Sequence, residues 1–291
     1  MQIYYQAFGF GIVTAALLAV GAVGFTLQFA VSNVFNLAYG SVMVVAMYAA
    51  YVSLNHGAGL WGALAVGGIT GSVLSYLINR LVYRHFVRKQ ANRFTIVLVT
   101  LAVALMMANL LEGIVGDNFF SYQLPTQIAY AFGPFRFTNY ETIIVGVAVV
   151  AMVAVQALLR GTKLGSAMRA TAENSDLAGN CGVPTDRMED IAWLISGFLC
   201  GLAGVSLALT IGQFTPTTGN VFLVTIIAAA VVGGVGRPVG AILGALIVGV
   251  SEEIVAVPAS EYQVVVGFAL LILVLLLRPQ GILGTAQVRS G

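Results

Sequence analysis

Four hydrogen-bonding side chains stand close together between two strongly apolar runs: Asn33, Asn36, Tyr39 and Ser41. Amide and hydroxyl groups inside lipid need partners, and interrupted backbone is tolerated there only where it is buried or lines water. Such a break could mark the path of a polar solute, as broken helices do in transporters. A turn at the membrane surface accounts for the same residues. Other chemistry-bearing groups are sparse. Glu112 closes one apolar run beside Asn109, and Glu141 opens the next, both at expected helix ends where water reaches them. No ionisable group is expected deep in the bundle, which argues against proton coupling through carboxylates. Lys163 sits in GTKLG without the glycine spacing of a phosphate cradle. His56 and His85 fall in separate turns, and Cys181 and Cys200 suggest neither a disulfide framework nor a metal site. These residues make no case for an enzyme or for a cofactor held by this chain.

The elements that must position these groups follow from composition. The 291 residues are 59% hydrophobic and 8% charged, whereas soluble domains carry roughly 25% charged residues. An all-α, polytopic transmembrane bundle is therefore expected, with the lipid bilayer as its surroundings and residues 1–291 forming one domain. A net charge of +2 suggests no nucleic-acid partner. The first nine residues contain no Lys or Arg, so the first span is expected to stay in the mature protein.

Spans are expected at 7–31, 35–54, 58–79, 94–114, 139–159, 191–212, 219–235, 239–257 and 262–277, making eight or nine helices with one interrupted or re-entrant. The runs are continuous and do not alternate, which excludes a β-barrel. Basic residues cluster at 80–93 (Arg80, Arg84, Arg88, Lys89, Arg93), in 160–190 (Arg160, Lys163, Arg169, Arg187) and after the last span (Arg278, Arg289). These segments should face the cytoplasm. The 115–138 connection, with Arg136 its only basic residue, and a turn at 251–261 carrying Glu252, Glu253 and Glu261 belong outside. The N-terminus lies outside if 35–54 crosses and inside if it is re-entrant.

Phe119, Phe120, Tyr122, Tyr130, Phe132, Phe135 and Phe137 crowd the 116–138 segment. Anchoring at the bilayer interface explains them, as would a docking surface for an external protein. Gly236, Gly240 and Gly244, Gly197 and Gly201, and Gly67 and Gly71 stand at four-residue spacing. That spacing lets helix backbones approach closely, within one chain or between two.

The one long polar stretch, 160–190, combines charges with small residues and turn signals. Thr162 can cap a helix through Leu164 to about Glu173, with Gly165 weakening its first turn. Ser175 or Asp176 can cap a second, short helix. Gly182 supplies a left-handed C-cap, and Pro184 a stop. Ala167, Ala170, Ala172 and Ala178 leave these helices slim enough to nest in a partner's groove. A solvated loop is the plainer alternative.

Four stretches carry a resemblance: FNLAYGSVMVVAMYAAY at 35–51, LGSAMRATAENSDLAGNCGV at 164–183, GGVGRPVGAILGALIVG at 233–249 and RPQGILG at 278–284. In order and spacing they are similar to permeases of branched-chain amino acid ABC importers, in particular the shorter of the two permease subunits. The resemblance implies a second related permease, two cytoplasmic ATPase subunits holding ATP and Mg, a periplasmic substrate-binding protein and a bacterial inner-membrane location. It assigns coupling to Ala167, Arg169, Ala170, Glu173, Ala178, Gly182 and Val183; it leaves most selectivity to the binding protein, and Asn36, Tyr39 and Ser41 of the polar break are the candidates for the translocation path. Arg237 departs from the pattern, in a turn where a small polar residue would be ordinary. Urea or a short amide is an alternative solute, a stand-alone channel or secondary carrier an alternative class, and a non-conducting scaffold a third.

Overall fold

The computed structural model describes residues 2–122, 124, 129–132, 135–278 and 280–284. Arg289 and Pro279 lie outside the described residues, as do the side chains of Phe132, Phe135 and Arg136. The order is α1 (Gln2–Ser32), α2 (Tyr39–Asn55), α3 (Leu60–Ile78), α4 (Arg84–Arg88), α5 (Arg93–Val115), a β-hairpin of β1 (Ala129–Phe132) and β2 (Phe135–Thr138), then α6 (Asn139–Gly161). There follow α7 (Lys163–Glu173), α8 (Ser175–Asn180), α9 (Thr185–Ile211), α10 (Thr218–Gly233), α11 (Pro238–Ala256) and α12 (Gln263–Leu277). Among the described residues seven helices are long and apolar enough to cross a membrane, and α2 and α10 are shorter apolar helices. The all-α polytopic bundle is as expected. The small antiparallel hairpin, pairing Ala129 with Thr138 and Phe132 with Phe135, was not legible in the 116–138 stretch.

Helix α1 is apolar around its whole circumference and sits in the centre beside α9; both are largely buried. By contrast α5 and α12 turn apolar side chains such as Leu105, Leu110 and Leu276 outward, as lipid-facing helices do. Close packing in the centre depends on glycine. Gly67 and Gly71 of α3 meet Gly201 and Gly197 of α9 backbone to backbone, so both small-residue pairs are used within this chain. Gly240 and Gly244 likewise face Gly233. Gly236 does not join them: it lies in the turn before α11 with φ +90°, because Pro238 starts that helix.

The two short helices reveal an internal repeat. In each half a long buried helix ends, six residues (33–38 or 212–217) turn the chain, and a short helix begins. Phe35 and Phe214, Gly40 and Gly219, and Ser41 and Asn220 hold equivalent places, 179 residues apart. Helix α1 packs on α11 as α9 packs on α3. The long helices α1 and α9 run antiparallel, with Gln28 against Ser196, Gly24 against Leu199 and Gly21 against Ala203, so the repeat is inverted. Helix α3 also runs antiparallel to α9 (Gly67 against Gly201, Gly71 against Gly197), so α1 starts on the face opposite the basic 80–93 segment that follows α3.

One boundary departs from expectation, and so does the setting of two carboxylates. Past Ile78, α3 continues through a π-helical turn (Asn79–Tyr83) into α4, so the basic 80–88 residues are helical rather than loop. Helix α11 ends at Ala256, just short of Pro258 and as the expected span 239–257 implies, but Glu252 and Glu253 lie inside its last turns rather than in an external turn, and Glu252 is buried.

Candidate functional site

Apart from Asn33, which is exposed, the chain break at 33–38 is packed rather than solvated. Gln28, near the end of α1, and Asn36 are both buried, and the Asn36 amide donates to Gln28 Oε1 at 3.4 Å. Asn36 Oδ1 accepts from the Ala38 backbone N–H (3.1 Å) and the Tyr83 hydroxyl (3.1 Å), and Ser196 donates to Gln28 Oε1 at 3.3 Å. The Asn36 side chain thus substitutes for helix hydrogen bonds where the backbone turns. Tyr39 begins α2, its hydroxyl shared between the carbonyls of Gly21 (3.0 Å) and Ser196 (3.4 Å). Ser41 Oγ lies 3.1 Å from the Ala104 carbonyl and 3.2 Å from Asn220 Oδ1. Asn36, Tyr39 and Ser41 therefore come together at one junction. Asn33 takes φ +53° at the end of α1.

At that junction the halves touch. A Cβ on Gly40 would stand 2.5 Å from the Gly219 carbonyl oxygen, so only glycine permits this crossing. Beyond it, on the face away from Arg84, Phe120 and Phe214 exchange backbone hydrogen bonds (2.9 Å each) and pack with Tyr48 and Tyr51. The Tyr122 hydroxyl donates to the Met47 carbonyl at 3.0 Å, and burial pushes that phenol's pKa well up. Phe120 and Tyr122 are thus inward plugs over α2 rather than interface anchors, while Phe119 stays exposed.

The 160–190 stretch forms two short helices, as its capping signals implied. Thr162 accepts from Gly165 N at 3.0 Å. Asn174, not Ser175 or Asp176, caps α8 through Leu177 N at 2.9 Å. Gly165 does more than weaken a turn: α7 rests there on the backbone of Leu158 and Leu159, with no room for a Cβ. Arg169 donates to the Leu159 carbonyl in the last turn of α6. Helix α8 closes with Gly182 N bonded to Gly179 O (3.0 Å) and Val183 N to Ala178 O (3.0 Å), Gly182 at φ +85°. That is a Schellman end, with Val183 and Ala178 as its apolar contact. Of the residues assigned to coupling, Ala178 is buried, Ala167 and Val183 are half-buried against the core, and Ala170, Glu173 and Gly182 face outward. Leu177, exposed at 60%, joins that outward set; its only sequence signal was a leucine in a polar helix.

Next to this loop, Arg84 bridges Asp186 (3.0 Å) and Asp190 (3.3 Å), and Arg88 bridges Asp186 (2.8 Å), tying α4 to the start of α9. Loop and basic helix therefore share one face. Arg237, odd in sequence, donates to the Leu283 carbonyl at 2.9 Å, and the 280–284 segment bonds to Val232 and Gly233 at the end of α10.

Inverted repeats with broken helices recur among membrane transporters. A family model described as branched-chain amino acid transport system, permease component, matches residues 8–275. The chain belongs to this family. LivH, the high-affinity branched-chain amino acid transport system permease protein of Escherichia coli K12, is 30% identical over 96% of this chain and 95% of its own. BraD, the corresponding permease protein of Pseudomonas aeruginosa, is 28% identical over 99% and 98%. In fold, the chain is similar to PsaBC from Streptococcus pneumoniae in complex with Fab (TM-score 0.54, 13% identity, covering 94% and 92%). The branched-chain permease family comprises transport subunits, not enzymes, and this member is a multi-pass membrane protein.

Proposed function

We infer that this chain is the membrane-spanning subunit of an ATP-driven importer for branched-chain amino acids in a bacterial inner membrane. It works with a second, related permease, two ATPase subunits that hold ATP and Mg, and an external substrate-binding protein. The observation that carries this reading is the build of α7 and α8. Both are capped, anchored to α6 through Gly165 and Arg169, and present Ala170, Glu173 and Leu177 outward on the face that carries Arg84 and Arg88.

Reversing a gate from 1:99 to 99:1 takes roughly 5.5 kcal/mol of differential binding. A rigid loop suits delivery of that energy from outside the chain, because coil would absorb the movement. The inverted repeat supports the transport reading: such repeats place solute paths at their interface, where Asn36, Tyr39 and Ser41 meet.

Two measurements test this reading. Mild-detergent purification of the tagged chain should recover ATPase subunits and a second permease by mass spectrometry. In the assembled complex, Ala170→Glu should abolish ATP-driven leucine uptake while membrane insertion stays normal. A chain that purifies alone and moves solute without ATP would replace the importer with a channel or carrier. Normal uptake by an assembled Ala170→Glu complex would remove the coupling role.

A further inference from the structure

On the face opposite Arg84, the second half of the repeat opens into a crevice of about 450 Å³ between α1, α9, α10, α11 and α12. Its walls are chemically divided. Leu17, Leu207, Ile211, Val221 and Phe222 make an apolar side, and Thr210, Thr215, Thr217 and Thr218 make a hydroxyl rim. Glu252 and Glu253 stand together at the boundary.

The two carboxylates are not equivalent. Glu253 has partners: Oε1 accepts from Thr14 at 2.8 Å and from Gln263 at 3.2 Å. Glu252 is only 5% exposed, and its Oε1 has no hydrogen-bond partner among the described residues. The charge acting on it is the neighbouring Glu253, and no salt bridge to either is formed among the described residues. Room for this carboxylate is made by Gly267 of α12, where a Cβ would come within 2.6 Å of Oε1. A buried carboxylate kept without a donor is costly unless something supplies one. Two adjacent carboxyls are accommodated by a shared proton or by a cation between them. Two carboxylates ringed by hydroxyls give fewer anionic ligands than a calcium cage collects, and the apolar wall has no use for a bare ion.

We propose that this crevice is a solute-binding site in the permease itself, where Glu252 and Glu253 hold the ammonium group of a compact apolar amine. An L-amino acid with a branched side chain is the solute class, its ammonium on Glu252 and its hydrocarbon against Leu17, Val221 and Phe222. The volume falls within the roughly 300–1,000 Å³ of small-ligand pockets. Naming an amino acid rests on the importer reading; the ammonium chemistry does not.

The full chain in lipid nanodiscs is probed by ligand-observed saturation-transfer NMR with isoamylamine, L-leucine and isocaproate. The first two should bind and isocaproate, which lacks the ammonium, should not. Glu252→Gln should weaken isoamylamine at least tenfold, and Glu261→Gln, exposed and outside the crevice, should leave it unchanged. Gly267→Ala, which crowds Oε1 without removing it, should weaken the amine as well and serves if Glu252→Gln does not fold. Isocaproate binding as well as isoamylamine, or unchanged affinity in either folded crevice variant, overturns the proposal. Uptake by the complex with its ATPases separates the two readings. Amine binding that depends on Glu252 without leucine uptake would keep the crevice and remove the importer assignment. Leucine uptake indifferent to Glu252 would do the reverse.

Discussion

Gly182 and Gly165 look alike in the sequence, yet they act through different physics. Gly182 takes φ +85° with open space around it. Alanine there meets no neighbour and loses only the backbone preference, roughly 1 kcal/mol. Gly182→Pro also fixes φ near −65° and deletes the N–H that bonds Gly179 O, so the Schellman end is lost. Graded loss of ATP-driven uptake, small for Gly182→Ala and near complete for Gly182→Pro with insertion intact, is the expected result. Equal uptake by both variants would mean the end of α8 carries no force. Gly165 has an ordinary backbone and no space, because Leu158 and Leu159 lie against it. Gly165→Leu should therefore lift α7 off α6 and raise protease sensitivity in the 160–190 loop, measured by limited proteolysis.

At the scale of elements, most helices were legible because lipid demands long apolar runs and because Thr162, Gly182 and Pro184 are strong punctuation. What was not legible came from tertiary contacts. Helix α11 swallows Glu252 and Glu253 because the buried carboxylate finds space beside Gly267, which only another helix provides. Similarly, the π-helical turn at Asn79–Tyr83 lets α3 continue into α4 and brings Tyr83 against Trp193, ring centroids 5.3 Å apart. That geometry also sorts the ion pairs. Arg88 and Asp186 are both well exposed, at 65% and 62%, so Arg88→Ala should change stability by less than about 1 kcal/mol. Arg84 and Asp190 are 12% and 18% exposed, so Arg84→Ala strands a largely buried carboxylate. A cost of about 3 kcal/mol is expected. Detergent-solubilised thermal denaturation should rank Arg84→Ala well below Arg88→Ala, and an equal ranking would deny the α4–α9 tie a structural role.

Over the whole molecule, the inverted repeat puts two like junctions in unlike states. At the first turn, Gln28, Asn36 and Tyr83 hydrogen-bond with one another and with Ser196 of the other half, and fill it. In the second half, the equivalent turn borders an open crevice of about 450 Å³. In transporters built on inverted repeats, rocking of one half against the other turns the opening to the other face. The two halves meet here at the Gly40–Gly219 crossing, where Ser41 and Asn220 lie within hydrogen-bond distance. Cysteines at both positions, with exposed Cys181 replaced by serine and buried Cys200 by alanine, should cross-link on mild oxidation. If the halves move against each other there, the cross-linked complex should lose ATP-driven uptake and regain it on reduction. Undiminished uptake in the cross-linked form would make the crossing a fixed hinge and confine the motion to α11 and α12 around the crevice.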